Sequence, residues 1–136
     1  MTRIPLILSL LALLPASAIA QNTWFVPDDF PTIQAGIDGV ANGDTVIVRD
    51  GTYVENINFN GMAITLKSEN GPATTIIDGN QMGSVVRIES GEGSDSVFEG
   101  FTVTNGSALE GGGMYCYGAS PTLENCTFTN NTALYY

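Results

Sequence analysis

An eleven-residue stretch in the last third of the chain occurs twice, and the second copy begins 25 residues after the first. The copies span residues 98–108 and 123–133, and five of the eleven positions are identical. A fixed shift of this size is typical of stacked-repeat architectures, in which one unit cannot bury its apolar face until a neighbour covers it. Apolar residues alternate within each copy, as in Phe101 and Val103, which predicts a short strand with one buried face. The repeat therefore predicts a parallel β-helix in which Val103 lies over Phe128.

The first twenty residues predict a secretory signal peptide. Arg3 precedes an apolar run over 4–14, and Ala18-Ile19-Ala20 has the small-x-small form of a cleavage site. A membrane-spanning helix needs about 20 apolar residues, whereas this run is shorter, contains Pro5 and is followed by Pro15. We therefore expect a mature chain that begins at Gln21, is exported to the extracellular space or the cell surface, and has no transmembrane segment.

Acidic residues dominate the predicted mature chain, which keeps three basic and fourteen acidic residues and has a formal charge of −11. Such a surface repels nucleic acid and anionic lipid. It also repels polyuronates unless a divalent cation bridges them. The chain contains no histidine, which excludes Ser-His-Asp and Cys-His triads and His-ligated zinc.

Residues 21–45 are predicted to cap the β-helix. After a short apolar strand, the apolar spacing becomes helical from Ile33, with Thr32 as the N-cap and Asn42-Gly43 as a left-handed stop. A solenoid needs its first turn shielded from water and from stray strands. We therefore expect this helix to cover the first of about four turns, which occupy residues 46–136.

Inward-facing apolar pairs recur through the predicted turns in two series. The first series is Val46/Val48, Ile64/Leu66, Val86/Ile88 and Met114/Cys116. The second series is Ile57/Phe59, Thr75/Ile77, Phe101/Val103 and Cys126/Phe128. Three charged residues directly follow pairs of the first series and are expected to form one outer column: Arg49, Lys67 and Glu89. Three corner residues are expected to form an amide ladder: Asn60, Asn105 and Asn130.

The two cysteines, Cys116 and Cys126, alternate with inward apolar neighbours. Export permits a disulfide between them, but free cysteines also serve as small buried hydrophobic residues. The chain stops at Tyr136, at the point where the first copy leads into Gly111-Gly112-Gly113 and a new turn. We expect further turns beyond Tyr136, so that this chain is the front piece of a longer protein.

Two segments carry a resemblance to known families. The segments 32–38, 42–48 and 51–55 resemble the opening of right-handed parallel β-helix proteins of the pectin-lyase-like superfamily, and Gly51, Tyr53 and Glu55 match a Gly-x-Tyr-x-Glu segment of pectin methylesterases. The resemblance implies the fold, and the family's later Gln-bearing and paired-Asp catalytic motifs have no counterpart here. The second segment lies in the last quarter of the chain. There, Gly112-Gly113-Met114 and Phe128-Thr129-Asn130-Asn131 resemble the repeats of polymorphic outer-membrane proteins, which implies a surface β-helix with an adhesive role.

Polysaccharide lyases on this fold use calcium-holding carboxylates and a basic residue that removes a proton. Arg49 and Lys67 are candidates for that base, but a surface column paired with Glu89 is the favoured interpretation. Residues 90–97 partly match a calcium-binding nonapeptide, which requires tandem copies. Because one copy is present, calcium is the less favoured alternative to an acidic turn. We therefore assign no catalytic residue, no metal site and no cofactor.

The favoured hypothesis is a non-catalytic β-helix segment that binds a polysaccharide or a cell-surface glycan. Tyr115 and Tyr117 flank the inward Cys116, so both should point outward, where aromatic rings can lie against sugar rings. The alternative role of the two tyrosines is packing against neighbouring turns. The alternative function is the N-terminal part of a polysaccharide-active enzyme, a lyase, esterase or hydrolase, whose catalytic turns follow Tyr136.

Overall fold

The computed structural model describes residues 21–135, so the predicted signal peptide lies outside the described residues. This part of the chain contains one short helix among short strands. In chain order the elements are β1 (Thr23–Val26), α1 (Ile33–Gly39), β2 (Thr45–Val48), β3 (Gly51–Val54), β4 (Ile57–Asn58), β5 (Thr65–Ser68), β6 (Thr75–Asp78), β7 (Val86–Ile88), β8 (Val97–Glu99), β9 (Thr102–Thr104), β10 (Ser107–Ala108), β11 (Met114–Cys116), β12 (Thr122–Glu124), β13 (Thr127–Thr129) and β14 (Thr132–Ala133). No helix within 21–135 is long and apolar enough to cross a membrane.

The strands form four parallel sheets, and neighbours within each sheet come from successive turns of the chain. Sheet 1 has the order β1-β2-β5-β8-β12, sheet 2 is β3-β6-β9-β13, sheet 3 is β4-β7-β11 and sheet 4 is β10-β14. All ladders between these strands are parallel. The protein is therefore a parallel β-solenoid of about four turns, which confirms the predicted architecture.

The 25-residue repeat sets the register of the last two turns. Thr102 pairs with Thr127 and Ser107 with Thr132, so both ladders join residues 25 positions apart. Val103 pairs with Phe128, as predicted. The repeated stretch thus marks strands that lie directly on one another.

Side chains from the three larger sheets and from helix α1 pack into one continuous apolar core. The fully buried members with the largest side chains are Phe59, Phe98, Phe101, Ile33, Ile37, Ile57, Ile64, Leu66, Ile77 and Ile88. Phe98 contacts Phe59 edge-on, with ring centroids 6.4 Å apart, and stacks on Phe101 at 4.8 Å. Aromatic rings from successive turns therefore fill the centre of the solenoid, where such pairs add about 0.5–1.5 kcal/mol beyond area burial.

The predicted division of the inward pairs into two series is wrong, because the turn has three main faces. Val46/Val48 belongs to sheet 1, whereas Val86/Ile88, placed in the same series, belongs to sheet 3. Ile57 pairs with Val86 across sheet 3, although the two were assigned to different series. Alternation along a strand identifies the buried residues, but it does not say which face of the solenoid they occupy.

Helix α1 packs against the first turn and has the predicted N-cap. The Oγ1 of Thr32 accepts a hydrogen bond from the Ala35 N–H at 3.1 Å. The predicted stop at Asn42-Gly43 is wrong, because the helix ends at Gly39 and Val40 is already extended. Gly43 adopts a positive φ of 91° in the turn that follows.

Both cysteines are free thiols. Of the two alternatives, a disulfide or two free cysteines, the structure therefore supports the second. Cys116 lies beside the fully buried Ile88 in the register and so faces inward as predicted, but it is exposed, whereas Cys126 is half-buried against the core. Phe128, also predicted to be inward, remains 43% exposed. Cys116 lies on β11 and Phe128 on β13, and within the described residues these are the outermost strands of sheets 3 and 2, with a neighbouring turn on one side only.

Candidate functional site

Tyr115 and Tyr117 lie on the outer face of sheet 3, at its edge. Strand β11 carries Tyr115 and pairs with β7, so Tyr115 lies beside Arg87 in the register. The Tyr117 N–H continues this ladder by donating to the Ile88 carbonyl at 3.1 Å. Side chains two positions apart on a strand point the same way, so both rings lie on the outer face of this edge.

The two tyrosine rings are nearly parallel. Their centroids are 6.4 Å apart and their planes differ by 17°. Tyr115 is half-buried, while Tyr117 is 71% exposed. Near-parallel aromatic rings that reach solvent offer flat apolar faces at low conformational-entropy cost, as in many binding surfaces.

Arg87 lies against the tyrosine pair and is itself fixed by an acidic neighbour. Its guanidinium carbon is 4.9 Å from the centroid of the Tyr115 ring, within the range of a cation–π contact. Arg87 donates from Nε and Nη2 to the two carboxylate oxygens of Glu89, at 3.0 and 2.8 Å. These hydrogen bonds raise the pKa of Arg87 and lower the pKa of Glu89. Tyr115 therefore packs against Arg87 of the neighbouring turn, which is in part the alternative role considered for the two tyrosines.

A groove of about 450 Å³ runs beside Tyr115 and opens to solvent. Its lining consists of Arg87, Ala108, Leu109, Glu110, Tyr115 and Tyr135. Leu109 and Tyr135 are 58% and 65% exposed. The Tyr135 N–H donates to the Leu109 carbonyl at 2.8 Å, which continues the β10–β14 ladder and holds the third tyrosine at the groove.

The Gly111-Gly112-Gly113 segment sets the position of the groove relative to the tyrosine strand. Gly111 has a positive φ of 57°, and a Cβ at this position would collide with the backbone of Met114 and Tyr115. The Gly112 and Gly113 carbonyls accept from Val85 and Val86, at 3.0 and 3.1 Å. A glycine-only turn therefore lets the chain double back closely between β10 and β11.

Five groove residues were not identified as site residues from the sequence: Arg87, Ala108, Leu109, Glu110 and Tyr135. The Arg87–Tyr115 pair joins residues 28 positions apart, so the 25-residue repeat does not align them. The 25-residue shift makes Glu110 the equivalent of Tyr135, although the two residue types differ. This equivalence could have predicted that Glu110 and Tyr135 lie at the same edge.

The predicted column of Arg49, Lys67 and Glu89 is wrong. Arg49 follows sheet 1 and forms ion pairs with Asp28 and Glu69, at 3.0 and 2.9 Å, while Glu89 follows sheet 3 and pairs with Arg87. Hydrogen bonds to Asp28 and Glu69 raise the pKa of Arg49, and its guanidinium lies 4.3 Å from the Phe25 ring centroid. Arg49 is thus held in place, and a guanidinium in this setting stays protonated, which does not suit a base.

Lys67 lies on the outer face of sheet 1, beside Ile47 and Glu99 in the register. It lines a polar depression of about 360 Å³ together with Glu69, Asn70, Glu99 and Asn125, among others. Neither Arg49 nor Glu89 lines this depression. The structure therefore does not bring the two candidate bases together at one site.

The predicted amide ladder is wrong at Asn60. Asn105 and Asn130 follow the paired strands β9 and β13, whereas Asn60 follows β4 in another sheet. All three have a positive φ, between 51° and 56°, which suits asparagine at a tight corner. Asn105 donates from Nδ2 to the Asp78 carboxylate at 3.0 Å, so its amide hydrogen-bonds across the corner to a carboxylate.

Two acidic side chains, one of them in the 90–97 turn considered for calcium, are hydrogen-bonded to the protein's own backbone. Glu92, in the predicted acidic turn, is 4% exposed and accepts from the N–H groups of Gly61 and Ser90, at 2.9 and 2.8 Å. Asp29 accepts from the Phe25 N–H at 2.7 Å. Among residues 21–135 no group of three or more Cys, Asp or Glu side chains is arranged to hold a metal ion.

Comparison with protein-family models, curated proteins and solved structures finds no match to this chain. The class of protein is therefore defined by the fold alone, a parallel β-solenoid of about four turns with a helix against its first turn.

Proposed function

We propose that this protein is an exported, non-catalytic β-helix repeat segment that binds carbohydrate at the Tyr115–Tyr117 face. The observation that carries the proposal is the pair of near-parallel outward rings beside an open groove. Sugar rings present apolar C–H faces, which pack on the electron-rich faces of aromatic rings, while their hydroxyls bind polar groups at the edge. Glu110 and Arg87 supply such polar groups in the groove.

The resemblance to pectin-lyase-like β-helices and to outer-membrane protein repeats supports an extracellular or surface role under the same proposal. In such a protein the solenoid is a rigid support, and the outer face of a sheet is the recognition surface. The alternative, an enzyme fragment, is less favoured because Arg49, one of its two candidate bases, is held by two carboxylates.

Binding to immobilised and soluble glycans tests this function. The double variant Tyr115→Ala/Tyr117→Ala should lose at least tenfold in affinity, because both ring faces are removed. The double variant Tyr115→Phe/Tyr117→Phe keeps the rings and should retain binding. Val54→Ala, at a position 63% exposed on β3 in another sheet, is the matched control. Equal binding by the alanine double variant and the wild type would refute the proposal.

Export is tested separately by expressing the full chain in a secreting bacterial host. Mass spectrometry of the exported protein should give a mature N-terminus at Gln21. A product that retains residues 1–20 would contradict the proposed signal peptide. This result would not bear on glycan binding, which the binding assay tests separately.

A further inference from the structure

The charges around the tyrosine pair bear on which sugars it can bind. Arg87 is the one basic residue that lines the groove, and both Glu89 oxygens already bind its Nε and Nη2. Glu110 adds a carboxylate to the same groove. The chain as a whole carries a formal charge of −10. The local balance around the rings is thus two carboxylates to one guanidinium.

An anionic sugar would meet an unfavourable arrangement here. A carboxylate forms its best contact with arginine as a bidentate pair, and Glu89 already makes such a pair with Nε and Nη2, which neutralises the charge of Arg87. A uronate would have to displace Glu89 or bind the remaining Nη1 side of this neutralised guanidinium, in the groove that also holds Glu110. Either change places like charges close together, which costs binding free energy.

A neutral sugar loses nothing in the same place. Its C–H faces can pack on the Tyr115 and Tyr117 rings, and its hydroxyls can donate to Glu110. Arginine has five N–H donors in a fixed fork, so the Nη1 group of Arg87 can still donate to a hydroxyl. The Arg87–Glu89 pair then also keeps the guanidinium over the Tyr115 ring.

We infer that the tyrosine groove takes a neutral polysaccharide chain and excludes uronate polymers, with Glu89 setting this selectivity by occupying Arg87. The inference rests on the proposed glycan-binding function and adds the class of ligand. Glu89 does not contact the ligand in this proposal. It determines specificity by pairing with Arg87, which would otherwise be free to bind a uronate.

The test compares two ligand sets on the wild-type protein at low salt with a chelator, so that no divalent cation bridges acids. The neutral set is gluco-, xylo-, manno- and galacto-oligosaccharides, and the acidic set is oligogalacturonates and alginate oligomers. At least one neutral oligosaccharide should bind tenfold or more tightly than any uronate. A uronate that binds as tightly as the best neutral ligand would overturn the inference while leaving glycan binding in place. If neither set binds, the proposed function itself fails.

The Glu89→Gln variant tests whether Glu89 sets the ligand selectivity or only stabilises the fold. Freed from its partner, Arg87 should gain measurable uronate binding, and this gain should weaken as salt is raised. Glu69→Gln removes a comparable exposed partner from Arg49 on another face and should gain none. Circular dichroism should be unchanged in both variants. A folded Glu89→Gln protein that still binds neutral sugar but gains no uronate binding would overturn the role of Glu89.

Discussion

Asp44 is the residue that ties the start of the chain to the first turn. Its side chain accepts three hydrogen bonds, from the N–H groups of Asn22 and Ala41 and from the Trp24 Nε1–H, at 3.0 to 3.1 Å. The residue is 2% exposed. Hydrogen bonds from Asn22, Ala41 and Trp24 lower its pKa below the ordinary value of 3.8. A carboxylate with several donors is stabilised in its charged form.

Asp44→Asn should therefore make stability less dependent on acid pH. A lowered folded-state pKa contributes stability that is present above pH 3.8 and is lost as the pH falls through the folded-state value. The variant should have a lower Tm than the wild type at pH 7, and the difference should narrow towards pH 3. Thermal unfolding at a series of pH values checks this, with Asp95→Asn in the exposed 90–97 loop as the control. A constant difference across the series would contradict the role given to ionised Asp44.

Two phenylalanines of the repeated stretch, Phe98 in its first copy and Phe128 in its second, differ in what they contribute to stability. Phe98 is fully buried between Phe59 and Phe101, whereas Phe128 is 43% exposed. Phe98→Ala should lower the free energy of unfolding by about 3–5 kcal/mol. Phe128→Ala should lower it by about 1 kcal/mol or less, since much of its surface is already in water. Urea unfolding of the two variants measures both values, and similar losses would contradict the burial difference.

At the scale of elements, helix α1 covers the first strand of sheet 3 through one side chain. Gln34 accepts from the Asn58 N–H at 2.7 Å and donates to the Asn58 carbonyl at 3.0 Å. These are the two bonds that a neighbouring parallel strand would make to that residue. Glu55 in turn accepts from the N–H groups of Ile33 and Gln34 at the start of the helix. The cap thus satisfies an edge that would otherwise pair with another chain.

Gln34→Ala should open this edge. The Asn58 amide should exchange with solvent about five- to tenfold faster, because it loses one hydrogen bond of about 1 kcal/mol. In Gln34→Glu a carboxylate oxygen can still accept from that N–H, but the other oxygen faces the Asn58 carbonyl and the Asp38 carboxylate, so protection should fall between that of the wild type and that of Gln34→Ala. Hydrogen exchange followed by NMR distinguishes the two variants, and equal protection of Asn58 in Gln34→Ala and wild type would contradict the capping role.

The sequence predicts the strands better than it predicts how they stack. Where two turns have equal length, as at 98–108 and 123–133, the repeat predicts the register correctly. Elsewhere Thr45 pairs with Thr65, a shift of 20, and Thr65 pairs with Val97, a shift of 32. Loops of different length separate strands that lie together, and a single sequence carries no marker for those partners. The groove was missed for this reason, since Arg87 and Tyr115 meet across an irregular shift.

At the scale of the whole molecule, the solenoid is a stack whose stability is roughly a sum of turns and the interfaces between them. Five strands in sheet 1 span about 19 Å at a spacing of about 4.8 Å per step. The N-terminal end is covered by α1 and its side-chain contacts. Each internal turn meets a similar turn above and below, so a turn of matching length can be added.

Duplication of residues 98–122 should therefore add one turn without disturbing the fold. The inserted segment is 25 residues long, so every later strand keeps its register and its buried face. The protein should keep its β-type circular dichroism and unfold in one thermal transition. Duplication of 98–110, which is out of phase with the repeat, should lower the Tm clearly. Equal effects of the two insertions would contradict the assigned register.

The outer face at Tyr115 and Tyr117 is proposed to be a carbohydrate-binding surface that the parallel stacking of strands builds. A ¹H–¹⁵N NMR titration with a neutral oligosaccharide tests this proposal most directly. Saturable shifts should concentrate at Arg87, Leu109, Tyr115 and Tyr117, which the fold brings together from three separate segments. Shifts confined to another face, or no shifts at ligand concentrations well into the millimolar range, would contradict the proposal.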